Sequence, residues 1–351
     1  VLGPYKENQK TPLPGGIARW IFDFIHSDFS KNITFSIVDM SIIGDRSKNR
    51  PFFSKLYDEY KRAIYIKQQT DLNLKTKSFD YAHLHTACGK YGIIRDYLTL
   101  RKIHKKNIKI ISHFHCNVHL HANKSKVTLF YFKKILNISD VVIALNEKSK
   151  NFICATNPKT TVIKIPNFIS ESEIRKDEKK INDPLKNIIY VGFVRKAKGF
   201  EEIIQVAKSF PDKKFTLIGQ VDPSYIGMSY PSNINLINYA SRDVIFKYLD
   251  ESDMFLFPSH SEGFSIALLE AMARGLPIVC SDVGANAEMV ENKVGGYVIE
   301  PKNSDLLISA IKLIEDSVFR SNSSMKNLSK VKSCYIDSIV IKKIISIYET
   351  D

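Results

Sequence analysis

Apolar residues along this chain follow two alternating rhythms. Short runs rich in β-branched and aromatic residues recur at 33–38, 81–85, 108–113, 141–145 and 161–165. They recur again at 188–194, 214–218, 234–236, 254–257, 277–280 and 296–299. Between them lie longer segments whose apolar positions are three and four apart, as in Ile17, Trp20, Ile21, Phe24 and Ile25. A short run that is apolar throughout reads as a strand buried on both faces, and helices alternating with such strands cover a parallel sheet. The pattern occurs in each half, which predicts an α/β class twice over. Residues 168–184 break it with the polar stretch Glu171-Ser172-Glu173-Ile174-Arg175-Lys176-Asp177-Glu178 and then Asn182-Asp183-Pro184. The expected organisation is a first domain over 1–168, a linker over 169–186, a second domain over 187–335 and a helix over 336–351 returning to the first. Only Val1-Leu2 precedes Gly3-Pro4, so the first strand reads as cut short, with native residues expected before it.

Composition narrows the class. The 351 residues are 44% hydrophobic and 25% charged, ordinary globular proportions that exclude a disordered or collagen-like chain. No stretch approaches the roughly 18 uninterrupted apolar residues of a membrane-spanning helix, and the start lacks a signal-peptide layout. Five scattered cysteines without a C-x-x-C pair argue against a disulfide framework, so a cytoplasmic location is expected. The net charge of +14 is uneven: residues 1–180 hold 32 Lys and Arg against 16 Asp and Glu, and residues 181–351 hold 19 against 21. The first half therefore presents the basic surface, suited to anionic headgroups, a phosphorylated substrate or nucleic acid. No helix-turn-helix, RNP or zinc-finger pattern supports the last of these.

Two local patterns carry candidate chemistry. Pro14-Gly15-Gly16 precedes a helix, where glycines let backbone N–H groups approach an anion at the positive end of the helix dipole. The second pattern runs from His260 to Pro277. Residues 254–257 read as a strand, 258–264 as a loop, Ser265 as an N-cap and 266–274 as a helix closed by Gly275. Glu262 then lies on a loop at the carboxyl edge of the sheet and Glu270 inside the helix, where open α/β sheets bind ligands. The N–H groups of Gly263, Phe264 and Ser265 suit a diphosphate, and the two carboxylates suit sugar or ribose hydroxyls.

Glu262 and Glu270 also form the E-x7-E motif of the retaining GT-B glycosyltransferases of family four, which the surrounding residues resemble. Pro258-Ser259, Glu262-Gly263-Phe264, Leu268-Leu269-Glu270-Ala271-Met272-Ala273 and Gly275-Leu276-Pro277-Ile278-Val279 carry the likeness, which continues through Asp282 to Val290 and Gly295-Gly296-Tyr297-Val298. Upstream it includes Tyr190-Val191-Gly192, Lys198-Gly199 and Leu217-Ile218-Gly219. The first half is similar more loosely, through Gly15-Gly16, His83-Leu84-His85, His113-Phe114-His115, 140–144 and Ile165-Pro166-Asn167-Phe168.

The resemblance implies a GT-B architecture, two Rossmann-like domains with parallel sheets facing across a cleft. It implies transfer, with retention, of a hexose from a nucleotide-sugar to a glycan or polyprenyl-diphosphate-linked glycan in O-antigen or capsule-like polysaccharide biosynthesis, a UDP-sugar being favoured over a GDP-sugar. Residue by residue, Glu270 would receive the ribose hydroxyls, Glu262 would lie beside the transferred sugar, Lys198 would neutralise the departing diphosphate, and His115 would contact the donor sugar. Gly16 would supply backbone approach to the diphosphate or the acceptor from across the cleft. The arginine expected directly after Gly192 is Phe193 here, and Arg195 is the replacement candidate. No metal and no cofactor are implied.

Two clusters leave alternatives open. His113, His115, Cys116, His119 and His121 offer zinc-type ligands, but their spacing matches no standard finger. Residues 123–137 interleave Lys124, Lys126, Lys133 and Lys134 with Phe130, Tyr131 and Phe132, as in a helix lying in a headgroup layer or one packed on the sheet. On the first reading the enzyme docks at the inner face of the plasma membrane. The competing functions are a sugar-nucleotide epimerase of the same fold and a non-catalytic nucleotide-sugar or polyanion binder.

Overall fold

The computed structural model describes residues 1–6, 15–41 and 52–349. Its contacts divide the chain into two units, Val1–Pro166 with Ile341–Asp351, and Asn167–Val340. Pro14, part of the glycine-loop pattern, lies outside the described residues.

In the first unit β1 (Leu2–Gly3), β2 (Val38–Asp39), β3 (Tyr81–Thr86), β4 (Lys109–Phe114), β5 (Val141–Ala144) and β6 (Thr161–Lys164) form a parallel sheet in the order β2-β1-β3-β4-β5-β6. The connections carry α1 (Gly16–Ile25), α2 (Phe52–Thr76), α3 (Lys90–His104), α4 (Val118–Ala122), α5 (Lys126–Ile138) and α6 (Glu147–Thr156). Successive side chains alternate faces along a strand. On β3 and β4 one face is mainly apolar: Leu84, Ile110 and Phe114 share a core with Ile93 of α3 and Phe132 and Ile135 of α5. The other face carries His83, His85, His113 and His115 beneath Trp20 of α1. Of the run expected as a strand at 33–38, only Val38 joins a ladder. Its neighbour β1 offers just the two pairings Leu2 with Val38 and Gly3 with Asp39. α5 buries Phe132, Ile135 and Leu136 and leaves Val127 and Phe130 exposed among its lysines.

In the second unit β7 (Asn187–Val191), β8 (Lys214–Ile218), β9 (Ile234–Ile237), β10 (Met254–Phe257), β11 (Ile278–Ser281) and β12 (Gly296–Ile299) form a second parallel sheet in the order β12-β11-β10-β7-β8-β9. Read from β9 this is the 3-2-1-4-5-6 order of dinucleotide-binding folds, with the direction of winding reversing between β7 and β10. The helices are α7 (Phe200–Ser209), α8 (Arg242–Glu251), α9 (Ile266–Ala273), α10 (Asn286–Met289), α11 (Ser304–Ile314), α12 (Ser317–Cys334) and the start of α13 (Asp337–Tyr348). Every side chain of β10 and β11 is buried, as uninterrupted apolar runs require in a sheet covered on both sides. From Ile341 onward α13 groups with the first unit, where Tyr348 meets His83.

The stretch 169–186, expected as a linker, packs on the second unit. Ile169 pairs with Ile336, and the Arg175 N–H donates to the Ala273 carbonyl at 3.0 Å. Lys179 donates to the Asp250 carbonyl at 3.0 Å, and fully buried Arg320 donates to the Asn182 carbonyl at 2.6 Å. Long polar side chains here bury their stems and satisfy backbone carbonyls, an arrangement that polarity alone hides. The stretch ends at Asp253, whose buried carboxylate accepts from the N–H groups of Lys186 at 2.9 Å and Asn187 at 2.7 Å, and from the Asn182 amide at 2.8 Å. Removing it strands three donors. Asp253→Ala is expected to destabilise the second unit by about 3 kcal/mol, read as a lower urea midpoint. A change below about 1 kcal/mol would show that these bonds do not anchor the start of β7.

Candidate functional site

The carboxyl ends of β7 and β10 lie side by side at the point where the sheet reverses its winding, and each opens into a loop. After β7 comes Gly192, then Phe193, Val194, Arg195 and a tight turn through Lys196 and Lys198 that ends at Gly199. After β10 comes the loop 258–265, closed by Ser265, whose hydroxyl accepts from the Leu268 N–H at 3.2 Å and caps α9. Gly275 follows α9 with φ 74°, the left-handed conformation that ends a helix without strain.

The loop 258–265 is clamped by backbone on two sides. The His260 N–H donates to the Ala197 carbonyl at 3.1 Å, and the Ala285 N–H donates to the Gly263 carbonyl at 3.0 Å. Two glycines make these approaches possible. A Cβ on Gly199, at φ 79°, would stand 2.3 Å from the Pro258 oxygen, and a Cβ on Gly284, at φ 56°, would stand 2.2 Å from the Glu262 oxygen. Both positions need a positive φ and no side chain. The Asn167 amide adds a third support, donating to the Phe264 carbonyl at 3.0 Å.

This clamp brings Lys198 and Glu262 together: Nζ lies 2.5 Å from Oε1, with both side chains largely buried. Nearby, the Tyr190 hydroxyl donates to the Phe193 carbonyl at 3.2 Å. Burial, reinforced by the Glu262 carboxylate, pushes that phenol well above its ordinary value, so it stays a neutral donor. Arg195 is exposed and lies over the Phe193 ring, 5.0 Å from its centroid. The aromatic residue that displaces the expected arginine thus supports the arginine two positions on. Behind the loop, His260 Nε2 is 2.9 Å from Glu202 Oε1.

Glu270 is 8% exposed and paired. Its Oε1 lies 3.1 Å from Arg242 Nη2, and the same nitrogen lies 2.8 Å from Glu173 Oε2. Arg242 and Arg274 stack on Phe246, and Arg274 grips Asp250, which also accepts from Arg175 at 2.9 Å. A guanidinium holds a carboxylate in one geometry at low reorganisation cost. The second unit therefore gathers Lys198, Glu262, Gly263, Phe264 and Ser265 around one loop, with Glu270 on the helix that the loop caps and Arg195 beside the adjoining turn. His115 and Gly16 belong to the first unit. Gly16 is the first residue of α1, behind Gly15 at φ 115°. Half-buried His115 packs on Trp20, with Nε2 2.9 Å from His85 Nδ1, and burial lowers its pKa to about 3. Sequence patterns did not single out Arg242, Glu173 or Glu202, because their partners are distant in the chain, and gave no role to Tyr190 or His260 within the motifs that hold them. Asn167 stood in a quoted motif, with no role attached.

Residues 171–330 match the family of glycosyl transferases group 1, and the second unit belongs to that family. The chain is similar to the capsular polysaccharide biosynthesis glycosyltransferase CapM of Staphylococcus aureus, 26% identical over 234 residues, covering 60% of this chain and 61% of the relative. It is 30% identical over 177 residues to the UDP-Gal:alpha-D-GlcNAc-diphosphoundecaprenol alpha-1,3-galactosyltransferase of Escherichia coli, covering 45% of this chain and 44% of that protein. Among solved structures, sucrose-phosphate synthase from Thermosynechococcus elongatus superposes with a TM-score of 0.78 at 14% identity, over 99% of this chain and 98% of the other. That likeness establishes the fold class, GT-B with two parallel α/β sheets.

The clamp has a direct test. Gly284→Ala is expected to cost about 2 kcal/mol or more beyond Gly227→Ala, a control at φ 82° where an added Cβ meets nothing within 4 Å. Equal losses in the two urea midpoints would show that the approach to Glu262 is not a packing constraint.

Proposed function

We propose that this chain, whose second unit belongs to glycosyl transferases group 1, moves a hexose from a nucleotide-sugar to a glycan carried on polyprenyl diphosphate, in surface-polysaccharide assembly and with retention. The observation that carries the reading is the Lys198–Glu262 pair, held at 2.5 Å on the loop that caps α9, at the winding reversal of a sheet of this family. A UDP-sugar is the favoured donor and a GDP-sugar the second choice. The E. coli relative is named for a UDP-sugar donor and a diphosphoundecaprenol-linked acceptor, which supports that choice.

The chemistry follows from charge. As the bond from C1 to the phosphate oxygen breaks, negative charge grows on the diphosphate and positive charge on the sugar ring. Lys198 neutralises the first, the N–H groups of Gly263, Phe264 and Ser265 at the start of α9 add oriented dipoles, and Arg195 reaches the same phosphates from its place over Phe193. The acceptor oxygen bonds to C1 on the face the phosphate leaves, and the departing phosphate oxygen takes the acceptor's proton, so no enzymic base is required. Glu262 accepts from hydroxyls of the transferred sugar, and Glu270, held by Arg242, accepts from the ribose hydroxyls. His115 and Gly16 keep the roles their motif positions imply, polar contact with the donor sugar and backbone approach to an anion. The transfer requires no metal. The basic first unit, with Val127 and Phe130 exposed on α5 between lysines, suits peripheral docking on an anionic membrane at its cytoplasmic face.

Donor identity is read by thermal shift: one nucleoside diphosphate, UDP on this reading, raises the melting temperature and the others do not. Lys198→Met is expected to lower kcat about 100- to 1000-fold, and Glu270→Gln to raise the donor KM about tenfold. Glu262→Gln should abolish transfer while raising nucleoside diphosphate affinity, because the amide no longer holds Lys198 as an ion-pair partner. Full transfer activity in that variant would refute the site, and donor turnover without any acceptor would favour the epimerase. Anomeric proton couplings of the product decide retention.

A further inference from the structure

The glycosyl-transfer reading leaves three buried imidazoles of the first unit without a task. His83 and His85 are two residues apart on β3 and so share a face, and the parallel register sets His85 beside His113 of β4. None is more than 4% exposed. One ring nitrogen from each of the three lies within 4.8 Å of the other two. Nε2 of His83, Nε2 of His85 and both ring nitrogens of His113 have no hydrogen-bond partner. A buried polar atom left unsatisfied costs about 1–3 kcal/mol. Several in one small cluster call for a bound species that satisfies them together.

The surrounding hydrogen bonds select the ligating form. His85 Nδ1 lies 2.9 Å from His115 Nε2, and His83 Nδ1 lies 2.5 Å from the Tyr348 hydroxyl. A proton on each Nδ1 is matched by an acceptor, whereas a proton on either Nε2 would be buried without one. The matched tautomers leave lone pairs on Nε2 of both rings. An outer hydrogen bond of this kind is what orients histidine ligands around a metal.

We propose that His83, His85 and His113 bind one divalent transition metal ion, zinc by preference, with His115 and Tyr348 orienting two of the ligands. Three imidazoles without thiolate or carboxylate suit zinc, nickel or copper, and leave a fourth position for water. Zn–N bonds of about 2.05 Å in a tetrahedron put ligand nitrogens about 3.4 Å apart, so binding requires the stacked rings of His83 and His85, with centroids 4.2 Å apart, to turn toward the ion. The ion joins the carboxyl ends of β3 and β4 beneath Trp20, whose ring centroid lies 4.8 Å from that of His85 and 5.0 Å from that of His113. The ion takes no part in the transfer chemistry; His115 is shared between the two readings, and metal binding is measured without any transfer assay.

The full chain, stripped with chelator and titrated with Zn(II) or Co(II), tests this. One molar equivalent should bind, the Co(II) form should show the visible absorption of four-coordinate cobalt, and the melting temperature should rise by several degrees. His113→Asn should remove all three signals. Tyr348→Phe, which keeps every ligand, should weaken binding about tenfold, and it gives the deciding readout if His113→Asn does not fold. The double variant His119→Gln/His121→Gln, on α4, should bind as the parent does. No cobalt band and no thermal shift in the parent, unchanged affinity in Tyr348→Phe, or loss of binding in the α4 double variant would each overturn the proposal. The first of these would assign the space to water.

Discussion

Two carbonyl oxygens, those of Pro258 and Glu262, press against positions where a side chain cannot exist, and much of the second unit is arranged by that contact. Gly199 and Gly284 let the turn after β7 and the turn after β11 close on the loop 258–265 from either side. Once the loop is pinned, Glu262 has one place to be, and the only lysine of the 196–199 turn that meets it is Lys198. Ser265 then starts α9 in a fixed direction, which decides where Glu270 emerges. The carboxylates are eight residues apart in sequence, yet their geometry comes from two glycines outside that interval.

Local features were readable from the chain because local chemistry makes them. β10, the Ser265 cap, α9 and the left-handed Gly275 are set by neighbours within a few residues, and the expected bounds differ from the observed by one residue at most. The run at 33–38 enters the sheet at Val38 alone, which pairs with Leu2. Residues 169–186 read as a linker because of their polarity, yet they pack on the second unit. Their charged side chains carry long apolar stems, and Arg175, Lys179 and Asn182 spend their polar ends on Asp250, Asp253 and backbone carbonyls. Arg242 was invisible: nothing in its neighbourhood distinguishes it from any other first residue of a helix until the fold sets it between Glu173 and Glu270. The histidines show the same limit. The cluster that drew notice, 113–121, is contiguous in sequence, whereas the clustered nitrogens come from two strands whose register joins residues 28 apart.

On the proposed reading, electrostatics separates the two units by task. The first half holds a two-to-one excess of cations, and the second is slightly acidic overall, although it is the half that meets the donor phosphates on the proposed reading. Bulk charge is therefore a poor guide to where a phosphate sits. A single lysine on a rigid turn, with dipoles from a helix start, acts at a few ångströms in a partly desolvated place, where each charge counts several times its value in water. A diffuse basic face acts at the range of the screening length, about 8 Å in physiological salt. It suits attraction to an extended anionic surface better than the handling of one leaving group.

On the proposed reading, the Lys198–Glu262 pair also constrains how a donor enters. An unpaired charge in a partly buried place is costly, so each group needs the other while no anion is present. A diphosphate brings about two negative charges to Lys198, enough to take over as its main partner. Glu262 is then left with acceptor capacity it did not have before, and the sugar attached to the same diphosphate brings hydroxyl donors to it. The two exchanges are coupled, since neither charge can be released without the ligand part that replaces its partner. A nucleoside diphosphate without its sugar completes only half of this exchange. The intact donor completes both, so the ion pair favours the species that has something to transfer.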